Sequence, residues 1–345
     1  MLAPPRFLAI ALGTAAAVFV ATWVWIATVP LAYMDPEYPY WLAKQQLLAA
    51  CDIGDVLIVG DSRAAVDILP ARLDVNAVNL AVGGGQAIEA YVTVARAIDC
   101  PSPPRLVIVS IDAPHFVEPD LFWERSVRYG LVSGAALREV LASAARLGDR
   151  SMLAPHRDDF LPPGLRARLY DIRFPAFYFN AVLKGGLGLR WSRNALALRE
   201  GIAARGQYFF GRAAGSMAVA SEGRLTGFVP LPVQNDYFDR MLALLQARGV
   251  AVVFVAMPVN KATQAAARPE LEQDFAAYLD RFAARYSGFK VVGPLLPVWP
   301  NEFFGDEFNH LNPTGAMRFS ATFNEFLEER LQERDPVEGD RLSAR

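Results

Sequence analysis

The sequence predicts an α/β protein with a mostly parallel sheet, a helical and loop insertion, and an N-terminal transmembrane helix. Three observations support this. Short apolar, β-branched runs alternate with helical patterns, which is typical of a parallel sheet with helical connections. Residues from about 115 to 235 interrupt that alternation and carry few strand signals. The chain also begins with a long uncharged apolar segment.

The first element is this apolar segment, Phe7–Val29, which contains no charged residue. Its 23 residues would span roughly 34 Å as a helix, enough to cross a hydrocarbon core of about 30 Å. Arg6 precedes the segment, and Asp35 and Glu37 follow it. Because basic residues stay on the cytoplasmic side, we expect the N-terminus inside and the rest of the chain outside. A cleaved signal peptide and a buried core helix are the alternatives.

Aromatic residues cluster around the end of this segment and suggest an aromatic belt at the outer membrane interface. They are Trp23, Trp25, Tyr33, Tyr38, Tyr40 and Trp41.

The remaining elements follow from hydrophobic periodicity and from breaks at Pro and Gly. The predicted strands are Val56–Val59, Ala77–Val82, Leu106–Ile111, Val250–Met257 and Lys290–Val292. The predicted helices are Leu42–Ala50, Gln86–Ile98, Asp236–Arg248, Ala265–Tyr286 and Pro313–Arg334. The implied organisation is an N-terminal tip and anchor over 1–32, a linker with a short helix over 33–53, one domain over 54–335 with its insertion at about 115–235, and a polar tail over 336–345.

Composition limits the function classes. The 345 residues carry a net charge of −2, which gives no basic excess for nucleic-acid binding. Hydrophobic residues make up 53% and charged residues 20%, which excludes a mainly disordered chain. The sequence contains no metal-binding motif, and its Gly83-Gly84-Gly85 turn lacks the spacing of a nucleotide loop. We therefore expect no metal and no cofactor.

The two cysteines are candidates for a disulfide. Cys51 and Cys100 each lie a few residues before a predicted strand. In a flavodoxin-like strand order of 2-1-3-4-5 those two strands are neighbours, so both cysteines would lie near one edge of the sheet. Export of the domain would permit the bond. Two buried free thiols are the alternative.

The chemistry-bearing residues follow the first strand and precede the last helix. Ser62 stands after Gly60-Asp61, at the carboxyl end of a strand, where open α/β sheets bind ligands. A nucleophilic serine needs a base, and His310 lies in a loop just before the C-terminal helix. Asp306 or Glu307 could orient its imidazole. A plain helix N-cap is the alternative role for Ser62.

The two other histidines, His115 and His156, are interpreted as surface or structural residues. The insertion contains Trp191, Arg193, Tyr208 and Arg212, which either shape an acceptor groove or cover the core.

These blocks resemble the SGNH/GDSL hydrolase-like superfamily, over roughly residues 54–112 and 250–330. Residues 58–62 (IVGDS) match its first block and imply Ser62 as nucleophile. Residues 79–84 (NLAVGG) match the second and imply that the amides of Gly84 and Ser62 form an oxyanion hole. His310 is the implied base. Asp61, Arg63 and Asn79 adjoin these motifs. The third block usually supplies an Asn, but residues 110–114 (SIDAP) contain none.

Within that superfamily the chain is similar to membrane-anchored SGNH partners of membrane-bound O-acyltransferases (MBOAT), as in alginate and cellulose acetylation and teichoic acid D-alanylation. The resemblance implies a flavodoxin-like three-layer fold and a periplasmic, single-pass enzyme. It implies transfer of an acyl group, such as acetyl, from an MBOAT partner to a polysaccharide through Ser62. An anchored carbohydrate esterase and a non-catalytic assembly protein that binds glycan or an MBOAT partner are the alternatives.

Overall fold

A parallel β-sheet forms the centre of the computed structural model, which describes residues 4–119, 121–153 and 161–332. The strands in the described residues are β1 (Val56–Gly60), β2 (Ala77–Asn79), β3 (Leu106–Ser110), β4 (Ala251–Val255), β5 (Val259–Asn260), β6 (Phe289–Val292) and β7 (Val298–Trp299). The central sheet has the order β2-β1-β3-β4-β6, and β5 pairs with β7 separately. The predicted α/β class and parallel pairing are confirmed, and so is the order 2-1-3-4-5 when the five strands of the central sheet are counted along the chain, β6 being the fifth.

Helices connect and cover the strands. They are α1 (Pro4–Thr28), α2 (Tyr38–Ala49), α3 (Ser62–Asp67), α4 (Ala87–Ile98), α5 (Ala113–Val117), α6 (Gly134–Leu147), α7 (Arg150–Leu153), α8 (Pro163–Asp171), α9 (Pro175–Lys184), α10 (Trp191–Ala203), α11 (Pro232–Ala247), α12 (Lys261–Ala266), α13 (Leu271–Arg285) and α14 (Pro313–Gln332). Between β3 and β4 the described residues form helices and loops and no strand.

The sheet is apolar on both faces because helices cover both. β1 and β3 are buried along their whole length, as expected for parallel strands packed on two sides. Their register pairs Gly60 with Ser110, so both strands end at the same edge. The carboxyl ends of parallel strands are where such sheets place their ligands.

The helix α1 is the membrane-span candidate. Its length and apolar composition suffice to cross a bilayer, and the rest of the chain does not bury its most apolar stretch. The chain after it is fixed by hydrogen bonds. Tyr33 donates its hydroxyl hydrogen to the Ile26 carbonyl at 2.7 Å, and the Asn194 side chain donates to the carbonyls of Leu31 and Met34 at 3.0 Å.

The predicted aromatic belt is wrong for three of its residues. Tyr33, Tyr38 and Trp41 are fully buried in the domain core. The chain turns back onto the domain immediately after α1, so these rings bury their apolar area against protein.

Several predicted elements differ in extent, and α2 and α11 each begin four residues earlier than predicted. The helix predicted over Ala265–Tyr286 is interrupted: α12 ends at Ala266 and α13 begins at Leu271, because Pro269 lies between them and cannot donate a helical hydrogen bond. The strand predicted over Ala77–Val82 ends at Asn79, whose side chain accepts a hydrogen bond from the Ala81 amide at 3.2 Å. A disulfide joins Cys51 and Cys100. His156 and the polar tail over 336–345 lie outside the described residues.

Candidate active site

The end of β1 positions Ser62. Gly60 has a φ of 149°, and a Cβ at this position would lie 1.7 Å from the Ser110 carbonyl oxygen, so only glycine fits the close contact with β3. Asp61 then caps α3 by accepting hydrogen bonds from the amides of Arg63 at 2.9 Å and Ala64 at 3.3 Å. Ser62 is therefore the first helical residue rather than the N-cap, and its hydroxyl is not used for capping.

A cavity of about 690 Å³ opens beside Ser62. Its volume lies within the range usual for small-molecule sites. It brings together Ser62, Gly84, His115, Asp306, Glu307 and His310 with Arg63, Asp112, Pro114, Glu118, Leu121, Arg125, Phe210, Ser221, Arg224 and Phe308. The residues singled out after the first strand, in the glycine turn and before the last helix therefore meet at one place.

Asp306, and not Glu307, holds the imidazole of His310. His310 Nδ1 lies 2.6 Å from Asp306 Oδ2, and Asp306 Oδ1 also accepts hydrogen bonds from the amides of Phe308 and His310 at 2.9 and 3.2 Å. Burial alone would raise the pKa of Asp306, but these hydrogen bonds and the imidazole charge lower it. Glu307 lines the cavity with an exposed side chain.

The other nitrogen of that ring, Nε2, is buried and makes no hydrogen bond to any described residue, Ser62 included. Phe210 from the insertion stacks on the His310 ring with centroids 4.8 Å apart. The ring is thus fixed on one edge by Asp306 and on one face by Phe210. Its remaining nitrogen can accept a proton from a group bound in the cavity.

The last residue of α3 is tied to the histidine loop. Asp67 is fully buried, and its Oδ1 accepts a hydrogen bond from the Leu311 amide at 2.9 Å. Its Oδ2 has no hydrogen-bond partner among the described residues. Burial raises the pKa of Asp67 well above its ordinary value. The helix that begins at Ser62 therefore ends on a carboxyl group that positions the residue after His310.

A second imidazole–carboxylate pair faces the same cavity, and it contains His115, interpreted from the sequence as a surface or structural residue. His115 Nδ1 lies 2.5 Å from Asp112 Oδ1 and 3.6 Å from Asp61 Oδ2. Burial alone would raise the pKa of Asp112. The charges of His115 and Arg63 and the hydrogen bonds from His115 outweigh burial and lower this pKa to about 2. The signal in the sequence was the spacing of an acid three residues before a histidine.

Arg63 anchors this group of charges. Its guanidinium forms a bidentate ion pair with Glu222, with Nη2 to Oε2 at 2.6 Å, and lies 3.5 Å from Asp112 Oδ2. Burial alone would lower the pKa of Arg63, but these carboxylates raise that pKa above its ordinary value. Asp61, Asp112 and Glu222 place three carboxylates around one guanidinium. A positive charge on His115 would reduce the net charge of this group from −2 to −1, which is favourable because unpaired buried charges are costly.

Asp61, Asp112 and His115 also offer atoms within 4.8 Å of one another, as a metal site would. The oxygens of Asp61 are already occupied: Oδ1 caps α3, and Oδ2 accepts the Asp112 amide at 2.8 Å. Arg63 supplies a fixed positive charge beside them. The donor set therefore fits an ion-pair network better than a metal ion.

Two residues of the glycine-turn block have different roles. Gly84 lines the cavity with a φ of 68°. Asn79 is fully buried and donates to the carbonyls of Ala64 and Ile68 at 2.7 and 3.0 Å. Asn79 therefore holds α3 against β2 and does not line the cavity.

The insertion reaches the cavity through residues that sequence reasoning did not select, among them Phe210, Ser221 and Arg224. Glu222, also not selected, pairs with Arg63 and does not line this cavity. Of the four insertion residues that it did select, Tyr208 is buried and stacks on Tyr40 with centroids 4.2 Å apart. Arg193 lines a neighbouring cavity of about 520 Å³. Trp191 is half exposed and Arg212 lies over the Phe209 ring.

Around one cavity, then, lie a serine hydroxyl, an imidazole held by a carboxylate, and a second imidazole–carboxylate pair. These are the groups that nucleophilic acyl chemistry uses. No family model matches the chain and no curated protein matches it significantly, so the geometry of the site is the basis for assigning a function.

Proposed function

We propose that this protein is an exported, membrane-anchored serine O-acyltransferase that moves an acyl group, such as acetyl, onto a cell-surface or extracellular polysaccharide. The observation that carries the proposal is the single cavity shared by Ser62 and by His310, whose Nδ1 is held by Asp306. The resemblance of residues 60–62 (GDS), 79–84 (NLAVGG) and 310–312 (HLN) to SGNH hydrolases supports the same chemistry. The acyl donor would come from a polytopic MBOAT partner.

In the first half-reaction, His310 Nε2 removes the proton of Ser62 Oγ as the oxygen bonds to the acyl carbonyl carbon. Collapse of the tetrahedral intermediate breaks the bond to the donor's leaving group, which takes the proton from His310. In the second half-reaction, a sugar hydroxyl gives its proton to His310 and attacks the acyl-serine. Ser62 is released with the proton restored. The contact between His310 and Ser62 must tighten when substrate is bound, as is common for catalytic hydrogen bonds.

The oxyanion would be stabilised by the amides of Ser62 and Gly84 and by a ring N–H of His115. Residues 110–114, which match the third block, contain no Asn. A ring N–H of His115, which lines the same cavity, would supply the missing donor, and loss of one such donor typically costs ~100-fold or more in rate.

The helix α1 would be an uncleaved anchor with its N-terminus inside and the domain on the periplasmic side. Arg6 before the span supports this orientation, because basic residues stay on the cytoplasmic side. The Cys51–Cys100 disulfide suits an oxidising compartment.

The test is Ser62→Ala in the full-length protein. We expect polysaccharide acylation to fall by ~1000-fold or more, with unchanged expression and thermal unfolding, because the nucleophile is lost. A serine-reactive phosphonate should label the wild type and not the variant. Unchanged acylation would contradict catalysis by Ser62 and favour the non-catalytic assembly protein.

Transferase and esterase share every residue above and differ only in the acceptor. With a soluble acyl donor, the transferase predicts a faster second step when an oligosaccharide is added and an acylated sugar as product. Release of free acid alone, at a rate independent of sugar, would identify an esterase.

A further inference from the structure

An exposed apolar face lies on the insertion, around α9 and the start of α10. We call it the insertion face, and it consists of Ile172 (49% exposed), Phe179 (58%), Leu183 (60%), Leu187 (76%), Leu189 (86%) and Trp191 (48%). A cluster of exposed large apolar side chains within one short stretch of chain indicates a surface that contacts another apolar phase.

The chain beside the insertion face packs against α1. The Phe174 ring contacts the rings of Trp23 and Phe19 with centroids 5.5 and 6.1 Å apart. Trp23 Nε1 also donates to the Ile172 carbonyl at 2.8 Å. Phe19 lies nine residues before the end of α1, which corresponds to about 13 Å along the helix axis. If α1 crosses a bilayer, the start of α9 lies below the level at which the helix leaves it.

The second half of the insertion face is held at the end of the span. Arg190 donates to the Tyr33 carbonyl at 3.3 Å and to Asp35 at 3.4 Å. A Cβ on Gly185 would lie 2.7 Å from the Tyr33 backbone, so this segment is packed directly on the turn that follows α1. Leu187 and Leu189 lie between these two contacts along the chain and are the most exposed members of the face.

Because lipid surrounds α1 in the proposed anchored state, lipid is the phase that meets this continuous surface. Basic residues adjoin the insertion face, and their charge suits anionic lipid headgroups. Lys184 is exposed at the end of α9, and Arg190 and Arg193 follow in the same stretch. Apolar side chains flanked by basic residues and a tryptophan are typical of segments seated at the membrane interface.

We propose that the insertion face is embedded in the outer interface of the bilayer that α1 spans, so that the domain is seated on the lipid and not merely tethered to it. This inference rests on the membrane anchor of the proposed function and is independent of the acyl chemistry. The occupant is the lipid acyl-chain and headgroup region itself.

The test uses variants of the full-length protein that each carry one introduced cysteine, placed in phosphatidylcholine–phosphatidylglycerol vesicles. The native cysteines are joined in a disulfide, so a nitroxide label reaches only the introduced thiol. Leu187→Cys and Leu189→Cys report on the insertion face. Leu12→Cys (62% exposed in the wild type) reports on α1. Val229→Cys (76% exposed) is the matched aqueous control, since the adjacent Phe228 packs on Phe275 and Tyr278 of α13.

Collision rates with oxygen, which partitions into lipid, and with a water-soluble nickel complex are measured for each label. We expect the oxygen-to-nickel ratio at 187 and 189 to exceed the ratio at 229 several-fold and to stay below the ratio at position 12, which lies deeper in the hydrocarbon core. A ratio at 187 and 189 equal to that at 229, with the label at 12 in lipid, overturns the seating and leaves the anchor intact. An aqueous label at position 12 overturns both. Neither result bears on Ser62, which is tested by its own variant.

Discussion

Asp306 and Glu307 are adjacent carboxylates whose surroundings differ completely. Asp306 accepts the His310 ring nitrogen and two backbone amides, whereas the Glu307 side chain is exposed. The sequence left this choice open because both spacings allow a carboxylate to reach the ring. The loop conformation, including Asn309 at a φ of 64°, decides it.

We therefore expect Asp306→Asn to lower acylation by ~100- to 10,000-fold, because an amide cannot hold the imidazole in the right tautomer or stabilise its charged form. Glu307→Gln should stay within about threefold of the wild type by the same logic. Steady-state acylation rates of the two purified variants give the comparison. Equal losses would mean that both carboxylates act on His310.

In the proposed mechanism His115 stabilises charge and His310 moves protons. We expect His115→Gln to lower kcat by roughly 100- to 1000-fold with little change in KM, as for loss of one oxyanion donor. His310→Gln should cost at least tenfold more. The kcat and KM of the two variants separate the roles. A larger loss for His115→Gln would reverse the assignment, because Asp112–His115 has the geometry of a dyad too.

At the scale of elements, α3 couples the two halves of the site. It begins at Ser62 and ends at Asp67, whose carboxyl group accepts the Leu311 amide. Burial raises the pKa of Asp67 well above its ordinary value, so the folded protein holds a proton that the unfolded chain releases. The free energy of unfolding should therefore fall as pH rises from about 4 toward that raised pKa.

Asp67→Asn replaces the carboxyl group with an amide that cannot lose a proton. It should therefore remove the fall in the free energy of unfolding with rising pH, while the hydrogen bond from the Leu311 amide is kept. In the wild type, this fall in the free energy of unfolding should amount to about 1.4 kcal/mol for each unit by which folding raises the pKa of Asp67. Denaturant unfolding of both proteins between pH 4.5 and 8 measures it, with the exposed Asp280→Asn as control. Parallel pH profiles for wild type and Asp67→Asn would show that Asp67 is ionised in the folded protein.

Local patterns predicted β1, β3, β4 and α4 closely, because their apolar periodicity and their Pro and Gly breaks are encoded within a few residues. The break between α12 and α13 was also available in the sequence at Pro269. Glu222 was not, since its ion pair with Arg63 joins positions 159 residues apart and nothing in the surrounding loop signals it. Contacts of that range depend on how the insertion packs.

At the scale of the whole molecule, the Cys51–Cys100 disulfide ties the segments before β1 and β3, 49 residues apart. In the chain-entropy model, closing a loop of this length stabilises the fold by about 4 kcal/mol. We expect Cys51→Ser/Cys100→Ser to lower the free energy of unfolding by roughly 2–4 kcal/mol. Thermal unfolding with and without reductant measures it. A reductant effect on the double variant as large as that on the wild type would contradict this origin.

The residues after α1 are held by hydrogen bonds to Ile26, Leu31 and Met34 rather than by a slack linker. If the domain carries the proposed acyltransferase, it works at one fixed position close to the bilayer surface. A polymer would then meet the site only near that surface, as the polymer emerges from the membrane. Acyl groups would then be added to strands still leaving the cell, and material already shed into the surroundings would escape modification.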